Sequence, residues 1–264
     1  MGAESESAVN TLRRLVLGEE GPDNAAKSIA TLYNPLLQQG SQSIFELWET
    51  ICDAVGVLGC HLVVDERLVK FINALSELPD VTDQNGTAVK PGGSWSGFGV
   101  FWRDLPVLAV VYREAFDAIG DDKYFEGSTW SDAQVAAQVS YANFGALYLS
   151  QGKKDLGMAW HAEVSFRVAL DEPHETPEQQ YWAGLLVPVA ATWLIQAATK
   201  IYDLCQNSNG VRGYSLRRWA FWKRRFLEIA AHEDLMISTR NMASRAASGM
   251  DTVDGEIQQC QMQP

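Results

Sequence analysis

The sequence lacks the short motifs that identify the common enzyme and metal-binding classes. It has no glycine-rich phosphate loop, no nucleophile elbow for a reactive serine, and no histidine pair at the spacing of a zinc helix. Its four cysteines form no Cys-x-x-Cys pair and no dense framework, which excludes the usual zinc and disulfide-rich classes. These absences leave a protein that binds without catalysis, or an enzyme that needs none of these motifs.

The start of the chain also lacks an apolar signal core, since the opening residues MGAESESAVN are mostly polar or small. We therefore predict a cytoplasmic protein, with the nucleus as the other open location. The net charge of −12 disfavours nonspecific binding to nucleic acid or anionic lipid, so no DNA partner is expected. The sequence does not fix the oligomeric state, and a homo-oligomer is left open.

Charged residues are absent from a run of 21 positions, 179–199, which is long enough to span a bilayer. Pro188 stands at its middle, however, and the run also holds glutamines and many alanines. A helix that is apolar on most sides is also typical of the centre of a helical bundle. We therefore predict a buried central helix, bent at Pro188, and no membrane span.

Alternating strand patterns are missing as well, and almost every segment shows the 3.6-residue period of a helix. This pattern predicts an all-α protein, an irregular multi-helix bundle of about nine to ten helices. Asp104 with Pro106, and Thr176 before Pro177, have the residue types that open helices. In the helix predicted over 155–171, the residues expected to face inward are Trp160, Val164 and Val168.

We predict a single helical domain over residues 1–264. In that interpretation the polar segment 79–94, rich in Gly and Pro, is a surface loop. The same segment would otherwise link an N-terminal subdomain, 1–78, to a main bundle, 95–250. The tail, 251–264, is expected to be disordered.

Tryptophan is abundant, with nine residues, and its most distinctive use is the stretch from Tyr214 to Ala231. On a helix, one face of this stretch carries a large apolar stripe, and Ser215 can cap the start. The stripe consists of Leu216, Trp219, Trp222, Phe226, Ile229 and Ala230. We predict that this stripe is buried in the core.

Cations crowd the rest of this helix, because residues 212–225 hold six lysines and arginines and no acid. They are Arg212, Arg217, Arg218, Lys223, Arg224 and Arg225. Acidic neighbours or solvent are the simplest partners for such a cluster. A surface for phosphate-bearing partners is the alternative, since clustered Lys and Arg support such binding.

Several short phrases follow one another in a particular order over roughly residues 40–250. They are Leu78-Pro79, Trp102 with Leu105-Pro106 and Arg113-Glu114, Asn143 to Leu147, Arg167 with Ala169-Leu170 and Glu172, Val187-Pro188 with Ala190 and Trp193, Gly213 to Phe226, and Ala243 with Ala246 and Met250. This order resembles a fungal family, domain of unknown function 3632, and its most specific part is Trp219-x-x-Trp222-Lys223-x-x-Phe226. The resemblance implies an intracellular helical protein without an established activity. Because relatives often carry acids at positions 217, 220 and 224, it does not imply basic charge as the family's function.

Aromatic residues near helix ends and loops are placed to line a site between facing helices. We predict such a site between loop 91–104 and the helices that carry Trp160 and Trp193. Its ligand-binding residues would be Trp95, Trp102, Trp160, His161, Arg167 and Trp193.

Paired acids follow a predicted helix end at Gly120, where Asp121, Asp122 and Glu126 offer the carboxylate oxygens that Mg²⁺ prefers. A solvated acidic turn is the simpler interpretation, because no second metal motif follows. His61 and Asp65 have the His-x-x-x-Asp spacing of some acyltransferases, but this spacing is common by chance. We therefore expect no metal and no cofactor.

The leading functional interpretation is a helical protein that binds a protein partner or an apolar small molecule. An enzyme with an aromatic helical pocket is the first alternative, either terpene-cyclase-like or a metal-free cyclase or isomerase. A basic-helix module for phosphate-bearing partners is the second.

Overall fold

The computed structural model describes residues 3–39, 44–58, 62–118, 131–171, 173–207 and 213–262. Within these ranges the chain forms ten α-helices, a short 3-10 segment (Gly93–Phe98) and one isolated bridge between Thr82 and Ala88. The prediction of an all-α, multi-helix protein is therefore confirmed. The helices are α1 (Ala3–Leu17), α2 (Pro22–Gln38), α3 (Ile44–Leu58), α4 (Leu62–Ser76), α5 (Leu108–Ala118), α6 (Asp132–Gln151), α7 (Met158–Leu170), α8 (Pro177–Gln206), α9 (Leu216–Ala231) and α10 (Ile237–Met262).

The described residues fall into two compact units. The first lies within 1–144 and 151–156, and the second within 145–150 and 157–264. Segment 79–94, which the sequence offered as a linker, lies inside the first unit. Its tip is closed by Asp83, whose Oδ1 accepts the backbone N–H groups of Asn85 and Thr87, both at 2.8 Å.

The first unit packs α2 against α1 and α4, and α3 against α5. Large rings fill its core, and those fully buried are Tyr33, Trp48, Phe71, Phe101, Trp102 and Tyr112. Nε1 of Trp48 donates to the carbonyl oxygen of Pro106 at 2.9 Å, and Nε1 of Trp102 donates to Oδ1 of Asn34 at 2.8 Å. Because an unpaired buried N–H is costly, these bonds favour one path for the chain before α5.

The start of α5 differs from the prediction that Asp104 caps a helix with Pro106 in its first turn. The helix begins only at Leu108, after three residues with positive φ, which are Trp102, Leu105 and Val107. Oδ2 of Asp104 instead accepts the backbone N–H of Val100 at 2.8 Å. The carboxylate therefore closes a local turn, which competes with capping for the same oxygen.

In the second unit, α8 packs against α7, α9 and α10, and α10 also packs against α9. The predicted start of α8 is confirmed, because Thr176 caps the helix and forms a capping box with Gln179. Helical geometry is interrupted at Ala197, where φ is −135° and ψ is 24°. This break lies beyond Pro188, the position at which the sequence predicted a bend.

Helix α8 has the length and composition of a membrane-spanning helix, with a mean hydropathy of 1.4 over an 18-residue window. In that window, however, 61% of the residues are buried inside the protein. This burial agrees with the central helix that the sequence indicated. The expectation of no membrane span stays a prediction.

The inward face of α7 was predicted incorrectly. Trp160 is 48% exposed, and Val164 and Val168 are only half-buried. The buried residues are Met158, His161, Ala162, Ser165, Phe166, Ala169 and Leu170. Three of these have small side chains, which allow neighbouring helices to approach closely, so the bulky indole takes the opposite face.

The buried stripe of α9 is largely confirmed, since Trp219, Trp222, Phe226 and Ile229 are all buried. Oγ of Ser215 accepts the backbone N–H of Arg218 at 3.1 Å, as a helix cap should. Two members of the predicted stripe differ. Leu216 is 49% exposed, and Ala230 is half-buried.

The end of the described chain also differs from its prediction. Helix α10 continues to Met262, so the part of 251–264 that was expected to be disordered is helical up to that residue. Long-range contacts provide the physical reason. Nζ of Lys223 lies 2.5 Å from Oδ1 of Asp251 and 2.6 Å from Oδ2 of Asp254, and Val253 is buried.

Candidate functional site

Two of the predicted ligand-binding residues, Trp95 and Trp102, lie in the first unit. Trp102 belongs to the core of that unit and has a hydrogen-bond partner there. Trp95 is half-buried in the 3-10 segment, with ring centroids 5.4 Å from Phe45 and 5.3 Å from Phe98. Only Trp95 of this pair therefore reaches the surface.

The other four predicted residues lie in the second unit. His161 and Trp193 are buried, whereas Trp160 and Arg167 are exposed on one face of α7. Nε of Arg167 is 4.0 Å from Oε2 of Glu163, the i, i+4 ion pair that its spacing favours. Because the predicted site draws residues from both units, it stays a prediction.

The alternative magnesium residues, Asp121, Asp122 and Glu126, lie outside the described residues, as does His61. Among the residues that the structure does describe, no group of three or more His, Cys, Asp or Glu side chains is placed to hold a metal ion. The expectation of no metal and no cofactor stays a prediction.

One carboxylate is buried in the first unit. Asp65, on α4, is the one Asp, Glu, Lys or Arg side chain that is buried within the described ranges. Its Oδ2 accepts a hydrogen bond from Nδ2 of Asn143 at 2.5 Å, while its Oδ1 has no hydrogen-bond partner. Burial raises the pKa of Asp65 from 3.8 to about 6, although the bond from Asn143 opposes this shift.

Hydroxyl groups from neighbouring helices are also buried in this unit. The hydroxyl of Tyr112 donates to the carbonyl oxygen of Tyr141, and the hydroxyl of Tyr141 donates to that of Cys52. Burial, reinforced by nearby acidic groups, raises the pKa of both phenols and brings the pKa of the Cys52 thiol to about 12. These groups are therefore neutral at ordinary pH, and they serve here as hydrogen-bonding residues of the core.

The basic cluster of α9 meets acids of the second unit. Arg218 pairs with Asp171 at 3.1 Å, and its guanidinium also lies over the ring of Trp222, 5.4 Å from the centroid. Arg225 pairs with Glu228 at 2.7 Å. Lys223 joins Asp251 and Asp254, as described above. The interpretation that this helix lies against acidic neighbours therefore holds for Arg218 and Lys223, whereas Arg225 pairs with an acid of α9 itself.

The outer side of α9 forms a groove of about 510 Å³ with parts of α8 and α10. Its lining consists of Tyr202, Leu216, Trp219, Ala220, Lys223, Arg224, Leu227 and Asp254, a set that we call the α9 groove. Leu216 and Leu227 are about half exposed, at 49% and 51%. The tyrosine and tryptophan rings meet edge to face, with centroids 5.2 Å apart. The lining therefore combines apolar side chains with two cations, Lys223 and Arg224, and one acid, Asp254, which pairs with Lys223.

Sequence reasoning missed this groove because it assigned Leu216 to the buried stripe and gave no role to Ala220 and Leu227. Leu216, Ala220 and Leu227 follow the spacing i, i+4, i+11, which brings them to one side of a helix. The buried set, Trp219, Trp222, Phe226 and Ile229, lies on an adjacent side. A helical-wheel comparison of the two sets would have separated them.

Comparison with known proteins adds a family without an assigned activity. No curated protein matches the chain, and no solved structure matches it. The model of the family described as protein of unknown function (DUF3632) matches residues 48–226, more than half of the chain, so the resemblance is confirmed and the chain belongs to this family.

Proposed function

We propose that this chain binds a protein partner through the α9 groove. The partner surface that fits the groove is an amphipathic helix with leucine-like side chains along one face and acidic residues beside them. Helix-in-groove recognition uses apolar anchors at spacings of three and four residues. The observation that supports the proposal is the apolar set Leu216, Ala220 and Leu227 on α9, which stays exposed while the adjacent side of the helix is buried.

Charge at the edge of the groove supports an acidic partner. Arg217 and Arg224 are exposed and lie seven positions apart, which places them on the same side of α9. Arg224 lies over the ring of Phe221, 5.5 Å from its centroid, and forms a surface pair with Glu228 at 3.5 Å, and an exposed pair of this kind is worth little. These two cations remain available to a partner, and charge complementarity of this kind mainly speeds and orients association.

The alternative partners fit this surface less well. Because Arg218, Lys223 and Arg225 already pair with acids, fewer cations are available to a phosphate-bearing chain than the sequence suggested. An apolar small molecule is usually enclosed on most sides. The α9 groove is open to solvent instead, which suits an extended helix better. The enzyme alternative stays a prediction of the sequence.

The test is direct binding of a model helix to the full chain. The probe is a fluorescein-labelled helical peptide of about 18 residues with leucine at i, i+4, i+7 and i+11 and flanking glutamates. Its twin carries lysine in place of each glutamate. We expect saturable binding of the acidic peptide, measured by fluorescence anisotropy at low protein concentration, and at least tenfold weaker binding of the lysine twin.

Variants of the chain locate the site. Leu216→Glu with Leu227→Glu should weaken binding of the acidic peptide at least tenfold. Val63→Glu also replaces an exposed apolar side chain by glutamate, in the first unit, and should leave the affinity unchanged. Absence of saturable binding to the unaltered chain would overturn the proposal. Binding of sodium decanoate without any peptide binding would also overturn it, because the groove would then belong to an apolar small molecule.

A further inference from the structure

A second exposed apolar surface lies where α8 and α10 begin. Met236 and Ile237 are 62% and 68% exposed, and Tyr181 is exposed one turn into α8. We call Tyr181, Trp182, Met236 and Ile237 the Tyr181 patch. The ring centroids of its two aromatic residues lie 5.3 Å apart.

The two helix ends form one continuous surface at this patch. Gly184 stands three residues after Tyr181, so both lie on the same side of α8. A Cβ atom at Gly184 would sit 2.9 Å from Cε of Met236, which shows that the methionine methyl group rests against the helix there. The patch therefore joins residues distant in sequence, which single exposed apolar residues do not.

Acids surround the Tyr181 patch. Glu178 lies in the first turn of α8, and Glu233 and Asp234 lie three and two residues before Met236, separated from it by the buried Leu235. All three side chains are exposed. The nearby groups of opposite sign are Arg240, in the first turn of α10, and His232, whose Nδ1 is 4.0 Å from Oδ2 of Asp234. Acids therefore outnumber basic residues around the patch.

The patch thus shares two properties with the partner surface proposed for the α9 groove, exposed apolar side chains and neighbouring acids. We propose that a second copy of this chain supplies that partner surface, so that the α9 groove of one copy docks on the Tyr181 patch of the next. This inference rests on the proposed function of the groove and names its occupant. The apolar stripe with Arg217 and Arg224 would face apolar residues with Glu233 and Asp234, and opposite charges at an interface select the correct partner.

Contact between two copies of the α9 groove is disfavoured by the same charges. A symmetric pair of antiparallel helices would bring Arg224 and Lys223 of one copy near Arg217 of the other. Like charges at an interface cost free energy, whereas the head-to-tail arrangement pairs unlike charges. Head-to-tail contacts leave one groove and one patch free at the two ends, so they produce rings or open chains of copies rather than a closed symmetric dimer.

Sedimentation equilibrium of the full chain tests this arrangement. We expect the weight-average mass to rise above the 29.2 kDa monomer with concentration in 0.1 M NaCl. The association should weaken at least tenfold in 1 M NaCl, because the Debye length falls from about 10 Å to about 3 Å. A mass that stays at the monomer value up to about 1 mM in 0.1 M NaCl would overturn the inference, since weaker contacts lie outside the range of specific assembly.

Two charge-reversed variants show which surfaces meet. The groove variant carries Arg217→Glu and Arg224→Glu, and the patch variant carries Glu233→Lys and Asp234→Lys. Each alone should be monomeric, since its altered surface repels the unaltered one of the next copy. An equimolar mixture should associate again, because each variant offers the other a complementary surface. Association of either variant alone as strongly as the original chain, or a monomeric mixture, would overturn the inference.

Thermal unfolding of each variant checks that the fold is retained. We expect it to be retained because all four positions are exposed. The peptide assay separates the two proposals. If the acidic peptide binds the original chain while the chain stays monomeric, the α9 groove binds a partner and only its assignment to a second copy fails. If the chain associates but the peptide does not bind, the proposed recognition of acidic helices fails. If the variants also leave the association unchanged, the docking of the α9 groove on the Tyr181 patch fails as well.

Discussion

The carboxylate of Asp65 accepts a hydrogen bond from Nδ2 of Asn143 at 2.5 Å, and both residues are buried in the first unit. The bond stabilises the ionised carboxylate, but burial penalises it more, so the pKa is raised to about 6. A carboxyl group with a raised pKa in the folded state contributes stability at low pH that is lost as the pH rises between 3.8 and about 6.

We expect Asp65→Asn to remove this pH dependence. At pH 8 the unfolding free energy of the variant should exceed that of the original chain by roughly 1–3 kcal/mol. At pH 4 the two unfolding free energies should be similar. Asn143 can still donate to the amide oxygen at position 65. Chemical denaturation at the two pH values gives the measurement, with the exposed Asp53→Asn on α3 as the control. Equal shifts at both pH values would show that ionisation of Asp65 is not the cause.

Truncation of Trp222 should destabilise the protein far more than truncation of Trp160. Trp222 is fully buried and packs on Phe166 with ring centroids 4.5 Å apart, so Trp222→Ala should cost about 3–5 kcal/mol of unfolding free energy. Trp160→Ala removes an indole that is 48% exposed, and we expect a loss of at most about 1 kcal/mol. Chemical denaturation measures the unfolding free energy of both variants. Comparable losses would contradict the observed orientation of α7, in which Trp160 faces outward.

The last turns of α10 should depend on Asp254. Its two oxygens accept bonds from Nε1 of Trp219 at 2.9 Å and from Nζ of Lys223 at 2.6 Å. We expect Asp254→Ala to lower the hydrogen-exchange protection of residues 251–262 about tenfold, since partly exposed charged bonds of this kind are worth about 1.4 kcal/mol. Glu256→Ala, two positions on in the same helix, is exposed and serves as the control. Equal protection in the two variants would refute the role of Asp254.

Two glycines of the second unit form a matched pair. Gly213 has a φ of +90°, and a Cβ there would lie 2.4 Å from Cγ of Glu163. Gly213→Ala should therefore lower the unfolding free energy by about 1–2 kcal/mol. Gly255 lies inside α10 with open space around it, so Gly255→Ala should raise stability by about 0.5–1 kcal/mol. Chemical denaturation gives the change in unfolding free energy for both variants. Changes of the same sign would contradict this account.

Helix content and most helix starts could be predicted from the sequence because they depend on local chemistry. Thr176 with Pro177, and Ser215 before α9, satisfy free N–H groups of their own first turns. The helicity of residues 251–262 could not be predicted this way. It depends on Lys223, which is distant in the chain and whose ion pairs leave no local pattern.

The candidate site was harder to predict for a related reason. A hydrophobicity count places Trp160 and Leu216 inside, yet small residues on α7 and the four large residues of α9 already fill the inward faces. The indole and the leucine are then left outside. Which apolar residues stay exposed is decided by competition for limited contact area, and composition alone does not resolve that competition.

The irregular geometry at Ala197 has a consequence for how α8 responds to a bound partner. An α-helix gains and loses order cooperatively because consecutive residues share a ladder of hydrogen bonds. An interruption at one residue divides these hydrogen bonds between two helical segments, which can gain or lose order independently. Tyr202, which lines the α9 groove, belongs to the shorter, C-terminal segment. We expect a partner in the groove to reduce the mobility of this C-terminal segment alone. The residues before Ala197 should be equally rigid with and without the partner.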